Sequence, residues 1–366
     1  MTRKRFEVAS AAALVVSLVL AMTPSTSSAE PTDFSGERVE MIVPFAAGGG
    51  SSAYAQFMAI LLKDKLPGNP TVVIRNVPGG GSVTGMNEFA RRAKSDGLTI
   101  ATTGTSALMN YLLQNPAIRF AIDDFDAVIA SPAGVIVYAS STLGLRGPED
   151  IARLRGRKIT IGGNGPTAAD LPVLLSLDML GLELNAVFGI EGGGPRRQAF
   201  QRGEFDINFD TSPSYQNEVV PLIEDGSAIP LFTFGISQPD GSIVRDPAIP
   251  NLPTFLEFYQ AALGKAPSGP ELDAWKTLFA ARVMAGKVIV LPAGVQPEIK
   301  EAYLAALKAA VGDPRFRSEQ GIEIVGPYEQ PIGADAASVF RAAGQMSESE
   351  RQWLIDWLGE KFDVKL

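Results

Sequence analysis

Unbroken apolar runs alternate with amphipathic stretches along the first part of the chain. "VEMIVPF" (39–45), broken only by Glu40, has the near-continuous apolar character of a parallel strand covered on both faces. A helix is predicted over Ala53–Leu66, with Phe57, Ile60, Leu61 and Leu66 as its apolar positions. "PTVVIRNV" (70–77) reads as a second strand and Val83–Ala93 as a second helix. The Asp96-Gly97 turn then leads into "LTIATTG" (98–104), a third strand. Strand, glycine turn, helix, repeated, predicts an open α/β sheet with helices on both faces.

A second set begins near Ser131. "GVIVYAS", "RKITIGG", "LELNAVFGI" and "FDINFD" read as strands, separated by helices over about 148–155, 167–181 and 194–202. "AIPLFTFGIS" returns the chain, and "KVIVLP" with a helix from Pro297 to Val311 reads as more of the first set. Two crossings predict two lobes with a cleft between them. The expected division is 30–130 plus 236–366 for lobe 1 and 131–235 for lobe 2. In the tail, Ser347 and Glu350 are spaced as a capping box, and Trp353 and Trp357 stand one turn apart. A helix within 345–366, docked on lobe 1, is expected; a partner-binding helix is the alternative.

The glycines carry the candidate chemistry. "AAGGGSS" and "VPGGGSVTG" each place three consecutive glycines between a predicted strand and a predicted helix. In open α/β sheets ligands sit outside the carboxyl ends of the strands, where loops enter helix N-termini. Unpaired backbone N–H groups and the positive end of the helix dipole make such loops anion sites. Four loops fit: Ala47–Ser52, Pro78–Ser82, Thr103–Ser106 and Gly162–Thr167. No Gly-Lys-Ser/Thr follows any of them, and "GGNGPT" is only part of a dinucleotide fingerprint, so a nucleotide site is not expected. Structural tight turns are the plain alternative for any single loop.

Composition removes several function classes. The chain has 366 residues and neither His nor Cys. That excludes thiol chemistry, disulfides, Ser-His-Asp catalysis and the commonest zinc sites. The N-terminus has a basic stretch (Arg3-Lys4-Arg5), an apolar run over Ala11–Met22 and small residues before Ala29, the layout of a signal peptide over 1–29 with cleavage after Ala29. Without residues 1–29, 29 Lys+Arg stand against 39 Asp+Glu, a net charge of −10. Such a surface disfavours nucleic acid as a partner. An exported chain without disulfides fits the periplasm.

"IVPFAAGGGSS", "VVIRNVPGGGSVTG" and "SDGLTI", taken in order, resemble the tripartite tricarboxylate transporter receptors, the Bug or TctC-like periplasmic solute-binding proteins. "KITIGGNGPTAADLP", "GIEGGGPRRQAFQRGEFDINF", "NLPTFLE" and "LPAGVQPEI" continue the likeness across nearly all of 36–325. The resemblance implies a two-lobed type II periplasmic-binding fold that closes on a small organic acid. It also implies a monomeric receptor that delivers the acid to membrane transporter subunits, with no cofactor. The ligand-binding positions it implies are Ala47, Gly48, Gly49, Ser51, Gly79, Gly80, Gly81, Ser82, Thr105 and Ser106 in lobe 1. In lobe 2 they are Gly165, Thr167, Gly193 and Asp206. Two departures stand out: Ser52 and Gln56 replace an Asp and an Arg of the family pattern. A lost ion pair or a pocket edge tuned to a less charged ligand would follow.

Other polar residues have two readings each. Asp206, Asn208 and Asp210 alternate with apolar neighbours and so share one strand face, either solvated or turned to the cleft. Arg196 and Arg197 read as exposed helix charges or as anion ligands, and Arg75 is similarly ambiguous. Asp123, Asp124 and Asp126 lack the glycine and terminal Glu of a calcium loop, so no metal is assigned. Catalysis would rest on Asp/Glu pairs, Lys or Tyr, none of which clusters with the glycine loops. An enzyme is therefore not expected, and a sensing subunit for a membrane signalling partner is the nearer alternative to transport.

Overall fold

A computed structural model of the protein describes residues 1–2, 32–190 and 192–366. Beyond its first two residues, the predicted signal peptide lies outside the described residues. In chain order, β1 (Arg38–Val43) leads through the first glycine loop into α1 (Gly50–Lys65). The second loop joins β2 (Thr71–Asn76) to α2 (Val83–Arg92), and β3 (Thr99–Gly104) runs directly into α3 (Thr105–Leu112). After β4 (Phe125–Ser131), only residues 132–134 precede β5 (Val135–Ser140). Then come β6 (Lys158–Gly162), α4 (Leu171–Met179), β7 (Glu183–Val187), α5 (Gly193–Gln201), β8 (Ile207–Thr211), α6 (Val220–Glu224) and β9 (Ala228–Thr233). The short strands β10 (Ile236–Ser237) and β11 (Ile243–Val244) precede α7 (Phe255–Leu263) and α8 (Pro270–Phe279). The chain finishes with β12 (Lys287–Pro292), α9 (Pro297–Val311), α10 (Glu319–Val325), α11 (Ala334–Ala343) and α12 (Glu348–Phe362).

Among the described residues ten strands form two five-stranded sheets, β2-β1-β3-β12-β4 and β7-β6-β8-β5-β9, and β10 and β11 pair as an antiparallel ribbon. Each five-stranded sheet is mixed: β12 runs antiparallel to β3 and β4, and β5 antiparallel to β8 and β9. The predicted α/β class with open mixed sheets and helices on both faces is what the structure shows.

Alternation along the strands separates the cores. Met41 and Val43 pack with Tyr54, Leu61, Tyr303 and Leu307 beneath α1 and α9, whereas Ile42 joins a cluster on the other face. That second cluster runs on through Leu108 to Val137, Leu174 and Trp275 of the second sheet's layers. Ile136 and Tyr138 turn to a third cluster with Phe200 and Leu222. Helix α4 is apolar nearly all round because it is covered nearly all round. Its lone interior hydroxyl, Ser176, accepts from Trp275 Nε1 at 2.8 Å.

Packing blurs the lobe boundary drawn from the sequence. Phe232 of β9 packs at a tilt on Phe255 and Phe258 of α7, and Phe234 edge-on against Trp275 of α8, so 255–279 sit against the second sheet. Ser347 does cap α12, accepting from Glu350 N while Glu350 accepts from Ser347 N. The helix, however, is not held by lobe-1 elements alone. Arg351 Nε donates to Leu112 O at 2.8 Å, but Trp357 Nε1 donates to Asp178 Oδ2 at 2.8 Å, Lys361 pairs with Asp178 and Phe362 meets Phe188.

Candidate functional site

Strand direction decides which loops meet. β1, β2 and β3 are mutually parallel, and antiparallel β12 returns β4 to the same sense, so Val43, Asn76, Gly104 and Ser131 end at one edge. Lys287, which opens β12, lies at that edge between Gly104 and Ser131. In the second sheet Gly162, Val187, Thr211 and Thr233 end beside the start of β5. The chain leaves one carboxyl edge at Ser131 and enters the other at Val135, a span of a few residues that makes the two edges adjoin.

The predicted lobe-1 residues gather at the first edge. Ala47, Gly48, Gly49, Gly79 and Gly80 are exposed, Ser51 and Gly81 half-buried, and Ser82, Thr105 and Ser106 buried. No side chain caps α1, α2 or α3, and the first-turn N–H groups of a helix have no acceptor within it; in α2 the first two, of Val83 and Thr84, bond to the Gly80 and Gly79 carbonyls of the loop. Gly79, Gly80, Gly81 and Ser82 all adopt positive φ, a backbone course that glycine permits and Ser82 takes at φ +76°. The Ser82 hydroxyl is buried without a hydrogen-bond partner. Asn76 Nδ2 donates to Phe45 O and Ser52 Oγ, fastening the first loop to the end of β2. Gln56 Nε2 reaches Ser52 Oγ at 3.5 Å, so the two departures from the expected Asp and Arg form a weak neutral contact in this chain.

The predicted lobe-2 residues divide. Gly165 and Thr167 lie on the loop after β6, and Gly193 opens α5 after β7, at the second edge. The Gly165 N–H is already donated to Asp170 Oδ2 at 2.9 Å, alongside that of Asn164 at 2.6 Å, so this turn folds onto its own carboxylate. Asp206 sits apart, just before β8 and therefore at the opposite end of the sheet. Its carboxylate accepts from Thr160 N, Thr160 Oγ1 and Arg157, bonds that hold the strand start rather than face the loops.

The same strand carries a buried network that sequence pattern understated. Asn208 and Asp210 are not a solvated face: they are 0% and 4% exposed. Tyr138 OH donates to Asp210 and accepts from Asn208. Arg196, expected as a surface charge, is 6% exposed. Its guanidinium donates to Asn208 Oδ1 and Phe209 O, lies over the Phe209 ring and stands 3.7 Å from Asp170. Arg197 pairs with Asp210 and Glu218. Burial pushes the Asp170 and Asp210 carboxyls above the ordinary range, against the pull of Arg196 on both.

Two cations that sequence reading did not single out stand at the seam. Arg282, in a π-helical turn over Ala280–Met284, is 6% exposed. Its carbonyl accepts from Thr105 Oγ1, and the next carbonyl, Val283 O, from Ala133 N in the crossing segment. Burial, countered by Asp170 and reinforced by Arg196, lowers the guanidinium to about 10. Lys287 Nζ donates to Ile324 O over the Tyr54 ring, and burial with the nearby Arg282 charge lowers it to about 8. The available signal was Arg282 as a lone charge within the apolar stretch "FAARVMAG". Arg75, by contrast, is taken up by Glu40 and Glu88.

No family model matches the chain. The UPF0065 protein of the tcbD-tcbE intergenic region of Pseudomonas sp. strain P51 is 25% identical over 313 residues, covering 82% of this chain and 82% of that protein. Protein BugT of Bordetella pertussis strain Tohama I is 26% identical over 194 residues, 43% of this chain and 58% of BugT. Among solved structures, a TctC solute-binding protein from Polaromonas matches with a TM-score of 0.61 at 17% identity, over 88% of this chain and 98% of its own. MatC from Rhodopseudomonas palustris with bound malate matches at 0.59 and 18%, over 87% and 98%. A second R. palustris protein, with adipate, matches at 0.60 and 18%, over 88% and 97%. At such identities the structures establish the fold, which is the two-sheet type II periplasmic-binding arrangement. Sequence and fold together bear out the resemblance read from the glycine loops: the chain is similar in sequence to BugT and in fold to the TctC-like solute-binding proteins.

Proposed function

We propose that this protein is a periplasmic solute-binding receptor, not an enzyme, that captures a small organic acid between two lobes and hands it to a membrane transporter of tripartite tricarboxylate type. One observation carries the reading. Three uncapped, glycine-led helix starts, α1, α2 and α3, end at a single sheet edge, and that edge adjoins the loop-bearing edge of the second sheet. Converging N–H groups and helix dipoles favour an anion there. Malate and adipate in the two R. palustris proteins make a dicarboxylate the first class to test.

The lobes are proposed as 30–130 with 236–366, and 131–235, with helices α7, α8 and α12 bridging them. Ala47, Gly48, Gly49, Ser51, Gly79 to Ser82, Thr105 and Ser106 would hold the acid from lobe 1, and Thr167 and Gly193 from lobe 2. Closure follows from differential affinity: an acid held by one lobe and then by both shifts the population toward the closed form.

A thermal-shift screen of the mature protein against malate, adipate, other organic acids, amino acids and aromatic acids tests the reading. A ligand at about 100 times its Kd stabilises by about 2.7 kcal/mol, a shift of several degrees. Flat curves throughout would refute capture of an acid, and turnover of any compound would refute a receptor. Delivery is tested separately, by loss of uptake of the identified acid in cells lacking the protein.

A further inference from the structure

Among the described residues, Arg282 is a buried cation whose guanidinium the fold leaves without a partner. Its side chain is 6% exposed, its Nε has no hydrogen-bond partner, and among the described residues no carboxylate lies within ion-pair distance. The acids around it are already engaged. Asp170 takes the amides of Asn164 and Gly165 and stands 3.7 Å from Arg196, and Asp210 takes Arg197 and Tyr138. Arg197 is shared between Asp210 and Glu218, and Arg196 lies nearest Asp170, so the Arg282 guanidinium is left without an ion-pair partner of its own among the described residues. A buried charge without a partner is costly and is ordinarily neutralised or ligated.

Its position says what would neutralise it. The Arg282 carbonyl is anchored to Thr105 at the start of α3, and the following residue to Ala133 in the crossing between the sheets. Asp170 and Arg196, which act on its charge, belong to the loop and helix at the second edge. Arg282 therefore stands where the two loop-bearing edges join, bonded through its carbonyl to Thr105, whose neighbour Ser106 is tied by Asn110 to the Gly81–Ser82 turn with its unpartnered hydroxyl.

We infer that Arg282 is a ligand-binding residue: its guanidinium receives a carboxylate of the bound acid at the junction of the two edges. This rests on the acid-receptor reading and deepens it. The amide loops supply partial charges, and Arg282 supplies one full charge, so the site selects an acid over its isosteric amide. Because the acid, once bound, ion-pairs a guanidinium fixed at the crossing and also meets the loops, ligand binding removes the uncompensated charge that the empty protein carries.

The test uses the mature full-length chain, with malate and adipate and their diamides as probes, in calorimetric titration and thermal unfolding. Wild type is expected to bind one of the acids and to reject its diamide. Arg282→Met is expected to bind that acid at least about 100-fold more weakly, to lose the preference for acid over amide, and to melt without ligand at or above the wild-type temperature. Arg282→Lys, keeping charge but not the fork, is expected to fall between the two. Undiminished acid binding by a folded Arg282→Met overturns this assignment alone. A ligand-free melting temperature several degrees lower in Arg282→Met also overturns it, since the guanidinium would then be structural. Absence of any acid response in wild type overturns the receptor reading and this inference with it.

Discussion

Asn110 Nδ2 stands 3.2 Å from the carbonyl oxygen of Gly81 and 2.9 Å from that of Ser106, so one buried amide joins the second glycine loop to the start of α3. The contact is close enough that a Cβ on Gly81 would lie 2.7 Å from Asn110 Nδ2. Asn110 Oδ1 in turn accepts from Asn115 at 2.7 Å. Asn110→Ala removes these bonds and leaves the half-buried Gly81 carbonyl without its side-chain donor. We expect a loss of about 2 kcal/mol in chemical denaturation and weaker binding of whichever acid stabilises wild type. Unchanged stability and binding would show the loops to be held independently.

Gly104 and Gly165 both lie on candidate loops, yet substitution separates them. A Cβ on Gly104 would come 2.4 Å from Gly286 O, a backbone atom with no freedom to yield, where β3 passes the segment leading to β12. Gly165 has open space around its Cβ position. Gly104→Ala should cost about 2 kcal/mol or more through overpacking, and Gly165→Ala should stay within about 0.5 kcal/mol. Melting temperatures of the two variants decide it.

Lys287 gives the protein a pH dependence in the alkaline range. Its folded value of about 8 lies below its ordinary 10.5, so between those limits the unfolded chain binds more protons than the folded one. Stability attributable to this group therefore rises as pH climbs from about 8 toward 10.5, and the full penalty stands below 8. Urea unfolding at pH 7.5, 9 and 10 should show wild type gaining on Lys287→Met by roughly 1 to 3 kcal/mol across that window. A constant gap would show that the ammonium is not desolvated.

The paired tryptophans of α12 should respond unequally. Trp357 is 6% exposed and donates to Asp178, whereas Trp353 is half-buried and stacks on it from outside. Trp357→Ala is expected to cost about 3 kcal/mol or more, and Trp353→Ala about 1 kcal/mol. Equal losses would mean that the helix is held mainly by the stack.

Much of the fold was readable from local pattern. The apolar runs at 39–45, 157–163 and 287–292 became strands, and the helices predicted after the glycine turns formed within a few residues of their expected bounds. The Ser347–Glu350 box closed as its spacing required. The lobe-1 glycine loops came together because parallel strands must end at one edge, which strand order in the sequence already implied. Ile60, read as an apolar helix position, is 56% exposed, since it falls on the solvent side of α1 while Met58, Ala59, Leu61 and Leu62 of the same stretch are buried.

What pattern alone determined was the set of elements and the glycine turns, because capping, turn chemistry and alternation act over a handful of residues. Only the folded chain decided that Asp206 is bound by Thr160 at the far end of its strand, that Gly165 spends its amide on Asp170, and that Arg196 and Arg282 are interior cations. Those outcomes depend on residues separated by anything from a few positions to more than a hundred, and on whether water is excluded around them. Burial and charge pairing are set by the packing of whole layers, which leaves no periodic trace along the chain.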